Sequence, residues 1–260
     1  MSGAVLEFTV LGSGTSTGVP VIGCRCPVCR SALPQNRRTR CSALLRWGGR
    51  SVLIDTATDF RQQALREGID QVDAVLFTHT HADHVHGIDD LRTFTMRGGN
   101  LPVYASAPAL ETIRRVFSYI FVDESEPGYR PRLSLHTVHG PFALFGHEVV
   151  PVPLVHGHGE ALGYRIGPLA YLTDCSAIPA ASMALLAGLE VLVIDALRFT
   201  AHTSHLNIAG AVAAAQAIGA RRTLLTHLSH EVDHFRHSAG LPAGVEFAYD
   251  GLQLRVPLRN

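Results

Sequence analysis

Thr78-His79-Thr80-His81-Ala82-Asp83-His84 follows directly on a short apolar run, Asp73-Ala74-Val75-Leu76-Phe77. Such a run reads as a buried strand, and a strand end holds the loop after it rigidly. That loop carries three imidazoles and a carboxylate between His79 and His84. Histidines one residue apart in an extended segment can converge on one cation, and the Asp83-His84 pair that follows points to a second. Neutral imidazole and carboxylate are zinc-type ligands at about 2.0–2.2 Å, and the same N/O set suits Mn, Fe or Co. The alternative is a polar loop with incidental histidines, which the specific spacing disfavours.

The flanking sequence alternates strands with single helices. Before the loop, Val5–Leu11, Ser42–Trp47 and Ser51–Asp55 read as strands, the last two joined by a Gly48-Gly49 turn. Thr58–Glu67 has helical spacing and stops before Gly68. After the loop come a strand at Val103–Ala105 and a helix at Pro108–Ile120 opened by its proline. The second half repeats the style. Strands are expected at Phe142–Phe145, Glu148–Leu154, Leu162–Ile166, Leu169–Leu172, Val191–Ile194, Thr223–Thr226, Val245–Ala248 and Leu252–Val256, with an alanine-rich helix at Leu206–Ile218. Two β-rich halves with helices outside are the expected architecture.

Composition narrows the chemistry. None of the 260 residues is lysine; the 22 basic residues are all arginine, balanced by 22 acidic ones, with 15 histidines and five cysteines. Lysine-dependent Schiff-base and P-loop chemistries are thereby excluded, although arginine-rich codon bias explains the absence equally well. A net charge of zero argues against a nucleic acid held by a basic field. The start, Met-Ser-Gly-Ala-Val-Leu-Glu-Phe-Thr-Val, lacks a basic leader and reads as a first strand. No window approaches the ~18 apolar residues of a membrane span. A cytoplasmic setting with reduced thiols is expected, where clustered cysteines bind metal more often than they form disulfides.

The His-x-His-x-Asp-His loop after a strand resembles the signature of the metallo-β-lactamase superfamily. The resemblance implies an α/β fold, the four-layer αββα sandwich, as a single domain over residues 1–260. It also implies ligands downstream. His156, after Val152-Pro153-Leu154-Val155, would complete a first metal site with His79 and His81, with His158 as a nearby competitor. His227, in Leu224-Leu225-Thr226-His227, would join Asp83 and His84 on a second. Asp174, in Leu172-Thr173-Asp174, would bridge the two. Two cations about 3.5–4 Å apart can activate water near neutral pH and clamp both attacking and leaving oxygens.

A second cluster, Gly23-Cys24-Arg25-Cys26-Pro27-Val28-Cys29, holds three thiols within six residues. A structural zinc needs four ligands, so a fourth must come from elsewhere; reactive thiols or buried small residues are the alternatives. Together with Leu11-Gly12-Ser13-Gly14-Thr15-Ser16-Thr17-Gly18-Val19-Pro20, the cluster is similar to the PhnP-like phosphodiesterase branch of the superfamily. That resemblance covers about Leu11 to Gly251. It implies a structural zinc insertion around residues 23–41, with His230 in His227-Leu228-Ser229-His230 as fourth ligand. It further implies a general acid before a late helix. His205, in Ala201-His202-Thr203-Ser204-His205, is preferred and His202 is the alternative. Cys41 and Cys175 are expected to pack rather than ligate.

Three further features stay open. The Gly12–Ser16 loop could cradle phosphate through backbone N–H groups or simply make a turn that needs glycine. Arg92 reads as a solvated helix face more readily than as a phosphate contact, and Arg37, Arg38 and Arg40 as a solvated basic face. The expectation is a dinuclear phosphodiesterase with His205, Asp83 and Asp174 in catalytic roles, two catalytic divalent ions (Mn or Zn) and one structural Zn. Its substrate would be a small cyclic phosphate or nucleotide-like diester of the phosphoribosyl 1,2-cyclic phosphate type, and the resemblance implies phosphonate metabolism and a homodimer. The rivals are a thioester hydrolase, a lactonase, a ribonuclease like the transfer-RNA processing enzymes, and a non-catalytic zinc-binding module.

Overall fold

The computed structural model describes residues 4–96, 99–122 and 129–258. The first three residues of the expected N-terminal strand, Met1 to Gly3, lie outside the described residues. Strands β1 (Val5–Gly12), β2 (Ser42–Trp47), β3 (Arg50–Ile54), β4 (Ala74–Leu76), β5 (Leu101–Ala105) and β6 (Leu133–Thr137) belong to one sheet. A second sheet takes β7 (Phe142–Leu144), β8 (His147–His156), β9 (Gly159–Ile166), β10 (Leu169–Leu172), β11 (Val191–Asp195), β12 (Arg222–Thr226) and β13 (Val245–Phe247). The final strand, β14 (Gln253–Pro257), returns to the first sheet beside β1, so the orders are β14-β1-β2-β3-β4-β5-β6 and β13-β12-β11-β10-β9-β8-β7. The helices are α1 (Phe60–Arg66), α2 (Ala82–Val85), α3 (Arg92–Thr95), α4 (Ala107–Val116), α5 (Ala180–Ala184), α6 (Ile208–Ile218) and α7 (His234–Ser238).

The period-2 alternation of the strands sorts their side chains into three cores. Val52 and Ile54 of β3, and Val191 and Val193 of β11, point between the sheets, where they meet Phe8, Leu45, Tyr164 and Tyr171. Leu53 faces the other way, onto Phe60 of α1 and Leu110 and Ile113 of α4. Leu192 and Ile194 likewise face Ile208, Ala211 and Ala215 of α6. Central strands buried on both faces must be apolar throughout, which is why Val191-Leu192-Val193-Ile194 reads as an unbroken run. The result is the four-layer αββα sandwich expected above.

Element ends differ from expectation for local reasons. Helix α4 stops at Val116, because Phe117 leaves helical geometry (φ −109°, ψ 40°) and packs under the first sheet. Helix α6 begins at Ile208: the Leu206 N–H donates to the Cys175 carbonyl at 2.7 Å, and Asn207 caps the helix by accepting from Gly210 N–H at 2.8 Å. Strand β6 was missing from the sequence reading, although it pairs in parallel along all of β5.

The glycines of the Gly12–Ser16 loop answer a question left open above. A Cβ at Gly12 would overlap the Arg40 carbonyl, and one at Gly14 would lie 2.9 Å from both Cβ and O of Arg38. Close approach of the 38–40 segment therefore requires these glycines. Gly14 bridges to Arg40 on one side and to Leu228 on the other, which brings the cysteine-bearing segment against the loop after β12.

Candidate metal centre

The chemistry-bearing residues gather at the C-terminal ends of β3, β4, β10, β11 and β12, which run parallel to their neighbours in the set within each sheet. Asp55 follows β3 and His79 follows β4; Asp174 follows β10, Asp195 ends β11 and His227 follows β12. His156 is the last residue of β8. Asp83 and His84 lie in the first turns of α2 rather than in an extended loop, so not every predicted ligand sits just beyond a strand. Asp55, Asp174 and His227 all take positive φ, of 60°, 55° and 59°. This backbone region is uncommon outside glycine, and strained residues of this kind cluster at functional sites.

Two donor groups meet at Asp174. The ligating atoms of His79, His81, His156 and Asp174 lie within 4.8 Å of one another, as do those of Asp83, His84 and His227. His81 Nδ1 stands 3.0 Å from His79 Nε2 and 3.2 Å from His156 Nε2. Asp174 Oδ1 is 3.8 Å from His79 Nε2, 3.9 Å from His156 Nε2 and 3.4 Å from His227 Nε2; its Oδ2 is 3.1 Å from His84 Nε2. Asp83 Oδ2 faces His84 Nε2 at 3.3 Å and His227 Nε2 at 3.7 Å. The one carboxylate between the groups is thus the one the resemblance assigned to bridging.

The donors fit a divalent cation on their own chemistry. His84 Nδ1 donates to Asp55 Oδ2 at 2.7 Å, which leaves Nε2 with a free lone pair. That Nε2 is buried with no hydrogen-bond partner, and so are both ring nitrogens of His227. Buried polar atoms without partners are costly; a shared cation would satisfy Nε2 of both rings, while His227 Nδ1 faces Asp195 Oδ1 at 3.6 Å. Asp55 is itself held by the N–H and Oγ1 of Thr78, each at 2.8 Å. His156 Nδ1 donates to the Ser204 carbonyl at 2.9 Å, again directing Nε2 into the cluster.

Burial and the carboxylates pull the imidazoles of the cluster in opposite directions. Burial keeps the His79 imidazole well below its ordinary range, with His84 adding to the effect. Burial also disfavours charge on His84, but the Asp174 and Asp55 carboxylates outweigh it and hold His84 well above that range. Burial would raise Asp174; the surrounding His227, His84 and His79 instead hold it well below the usual carboxylate range.

Two carboxylates escaped the sequence reading. Asp55 orients His84 and Thr78, as described. Asp195, fully buried, accepts at Oδ2 from Cys175 N–H and from His205 Nδ1, both at 3.0 Å, while its Oδ1 lies 3.6 Å from His227 Nδ1. Both follow the pattern that identifies Asp174, an aspartate at the end of an apolar strand, and that pattern could have found them. His205 stands 5.0 Å from His156 and 4.6 Å from His227 between ring centroids. His202 is exposed, 5.2 Å from His205, with its Nδ1 accepting from Ser204 N–H at 3.3 Å. His158 lies outside both donor groups, exposed at the tip of the β8–β9 hairpin.

A separate donor group forms around His230, whose Nδ1 is 3.3, 3.7 and 3.5 Å from the sulfurs of Cys24, Cys26 and Cys29. None of these cysteines is in a disulfide, and three thiols with one imidazole are a structural-zinc donor set. Cys41 and Cys175 are fully buried and belong to neither donor group. The basic face expected at 37–40 is corrected: Arg38 is 2% exposed and donates to the carbonyls of Ser229 and Val232 at 3.2 and 2.8 Å. The 229–232 turn closes over it, so its charge faces protein rather than solvent. Arg40 is partly exposed and pairs with Asp59 at 2.9 Å, while Arg92 is 47% exposed beside Asp89, a solvated face.

A four-layer sandwich with a histidine- and aspartate-lined donor cluster across its strand ends defines a metal-binding hydrolase of the metallo-β-lactamase fold. The family model for the beta-lactamase superfamily domain matches residues 50–228. A crystal structure described as a new diphosphatase from the PhnP family superposes with a TM-score of 0.92 at 45% identity, covering 98% of each chain. The chain belongs to the beta-lactamase superfamily and within it is PhnP-like. It is also 44% identical over 253 residues to an octanoyltransferase from Porphyromonas gingivalis, covering 95% of this chain but spanning only 51% of that protein's length. A coenzyme PQQ synthesis protein B from Methylobacterium nodulans is 30% identical over 223 residues, 73% of this chain and 72% of that one. Among the described residues, no helix is long and apolar enough to cross a membrane.

Proposed function

We propose that the chain is a dinuclear metal-dependent phosphodiesterase acting on a small cyclic phosphate or nucleotide-like diester of the phosphoribosyl 1,2-cyclic phosphate type. The observation that carries this reading is the pair of donor groups joined at Asp174 with His205 beside them. His79, His81 and His156 would hold one cation, Asp83, His84 and His227 a second, and Asp174 both. Mn or Zn suits these sites; Zn suits the Cys24, Cys26, Cys29 and His230 group. When bound, the two catalytic cations supply a water nucleophile at neutral pH and charge stabilisation for phosphorus chemistry.

The chain's own groups do the rest. Asp55 and Ser204 set the tautomers of His84 and His156. Asp195 accepts from His205 Nδ1, and the doubly protonated form of His205 would hand its Nε2 proton to the departing alkoxide oxygen, leaving the neutral imidazole with Nδ1–H on Asp195. The PhnP-family diphosphatase neighbour supports chemistry at phosphorus. The octanoyltransferase relative gives acyl chemistry a claim, weakened by the half-length match. A small-molecule substrate and a homodimer complete the reading.

One observation favours a variant of it. Donor atoms of Asp174, His205 and His227 also lie within 4.8 Å of one another, so His205 could serve as a ligand instead of a proton donor. The test is a panel of ribose cyclic phosphates, cyclic nucleotides, bis(p-nitrophenyl) phosphate and thioesters, each with Zn and with Mn. Phosphodiester turnover is expected, and thioester turnover without it would overturn the proposal.

A further inference from the structure

Asp174 and His227, two of the donors that the second sheet brings to the cluster, each follow a fully buried threonine. Thr173 comes directly after β10 and Thr226 is the last residue of β12; both strands pair in parallel with β11 between them. Asp174 and His227 take positive φ, and a strained residue keeps such a conformation only where its surroundings fix it.

The two hydroxyls supply that fixing. Thr173 Oγ1 donates to Asp174 Oδ2 at 2.6 Å. Without this bond the carboxylate could turn about its Cβ–Cγ bond; with it, Oδ2 is tied and Oδ1 stays turned towards His79, His156 and His227. Thr226 Oγ1 meets Cys41 Sγ at 3.5 Å, and the Thr173 hydroxyl touches the same thiol. A thiol is a weak donor and a weak acceptor, so one sulfur can serve two hydroxyls. Cys41 is fully buried and directly precedes β2 of the first sheet. Its side chain therefore ties the sheet that carries His79 to the strand ends that carry Asp174 and His227. Burying a hydroxyl is unfavourable unless it is hydrogen-bonded, and the stiff χ1 of threonine fixes where each hydroxyl points.

Resting on the two-cation part of the reading above, we propose that Thr173 and Thr226, braced through Cys41, are positioning residues of the metal centre. They hold Asp174 and His227 in the orientation in which both donor groups share one carboxylate, and they act only through those two ligands.

The test compares wild type with Thr173→Val, Thr173→Ser, Thr226→Val, Cys41→Ala and the Cys41→Ala/Thr226→Val double variant, each loaded with Mn. Competition with a chelating indicator gives the affinity of the His/Asp cluster for its cations, electron paramagnetic resonance reports on the Mn pair, and Tm is recorded alongside. Thr173→Val is expected to weaken cation affinity about 10-fold or more and to alter the spectrum of the pair, with Thr226→Val acting in the same direction. Thr173→Ser keeps the hydroxyl and returns both readouts towards wild type. Cys41→Ala should weaken affinity less in the Thr226→Val background than on its own, because the two residues share one contact. Valine variants with a lower Tm but wild-type affinity and spectrum, or a Cys41→Ala effect that simply adds to that of Thr226→Val, would overturn the positioning role and leave the dinuclear reading intact. A wild type whose His/Asp cluster binds a single cation would overturn that reading and the inference together.

Discussion

Asp195 Oδ2 accepts a hydrogen bond from His205 Nδ1 at 3.0 Å, and this buried carboxylate also receives the N–H groups of Cys175 and Leu206, at 3.0 and 3.3 Å. The carboxylate is anchored by backbone on two sides, so it fixes the imidazole plane and its tautomer together. Asp195→Asn preserves shape but disturbs the tautomer. On a diester with a poor leaving group, kcat should fall about 10²-fold or more, with KM and metal content unchanged. An unaltered kcat would show that the contact orients nothing.

His205→Ala removes the proposed donor itself. A loss of about 10²–10⁴-fold is expected for an alkoxide leaving group, and much less for p-nitrophenolate, which departs without protonation. Metal per chain should stay constant. If one cation is lost instead, His205 is a ligand, the variant reading raised by its proximity to Asp174 and His227.

Asp55→Ala leaves His84 Nδ1 and Thr78 N–H without their acceptor. Loss of such a partner behind a ligand weakens metal affinity by about 10–100-fold, which competition with a chelating indicator would report. His81→Ala and Asp174→Ala should go further, losing metal and activity together.

Arg38→Met tests the buried guanidinium. Burial lowers its pKa to about 10, and it holds the carbonyls of Ser229 and Val232 beside His230. Removing it leaves the Val232 carbonyl without its donor, while the Ser229 carbonyl keeps the Val232 N–H, so destabilisation of about 1–3 kcal/mol is expected, read as a lower Tm. A Tm within a degree of wild type would contradict this.

The legible part of the site was the part written contiguously. His79, His81, Asp83 and His84 declare themselves because three imidazoles and a carboxylate crowd one strand end. Asp174 and His227 have no local spacing; only resemblance singled them out among many single aspartates and histidines. Asp55 and Asp195 stayed hidden because their partners lie 29 and 10 residues away, on different elements. Arg38 misled because three arginines near one another look solvated, and only the fold brings the 229–232 turn over the middle one. Two β-rich halves with helices outside were legible from the strand pattern and the four-layer sandwich from the resemblance, whereas helix ends turned on particular side chains such as Phe117 and Asn207.

All the roles proposed here depend on three cations per chain: two in the His/Asp cluster and one among Cys24, Cys26, Cys29 and His230. Metal analysis of the purified, metal-replete protein by mass spectrometry, normalised to its own sulfur, measures that number directly. About three per chain is the predicted result, falling to about two in Cys29→Ser. One cation per chain, lost in Cys29→Ser and kept in His81→Ala, would leave the His/Asp cluster without its metals and contradict the dinuclear site.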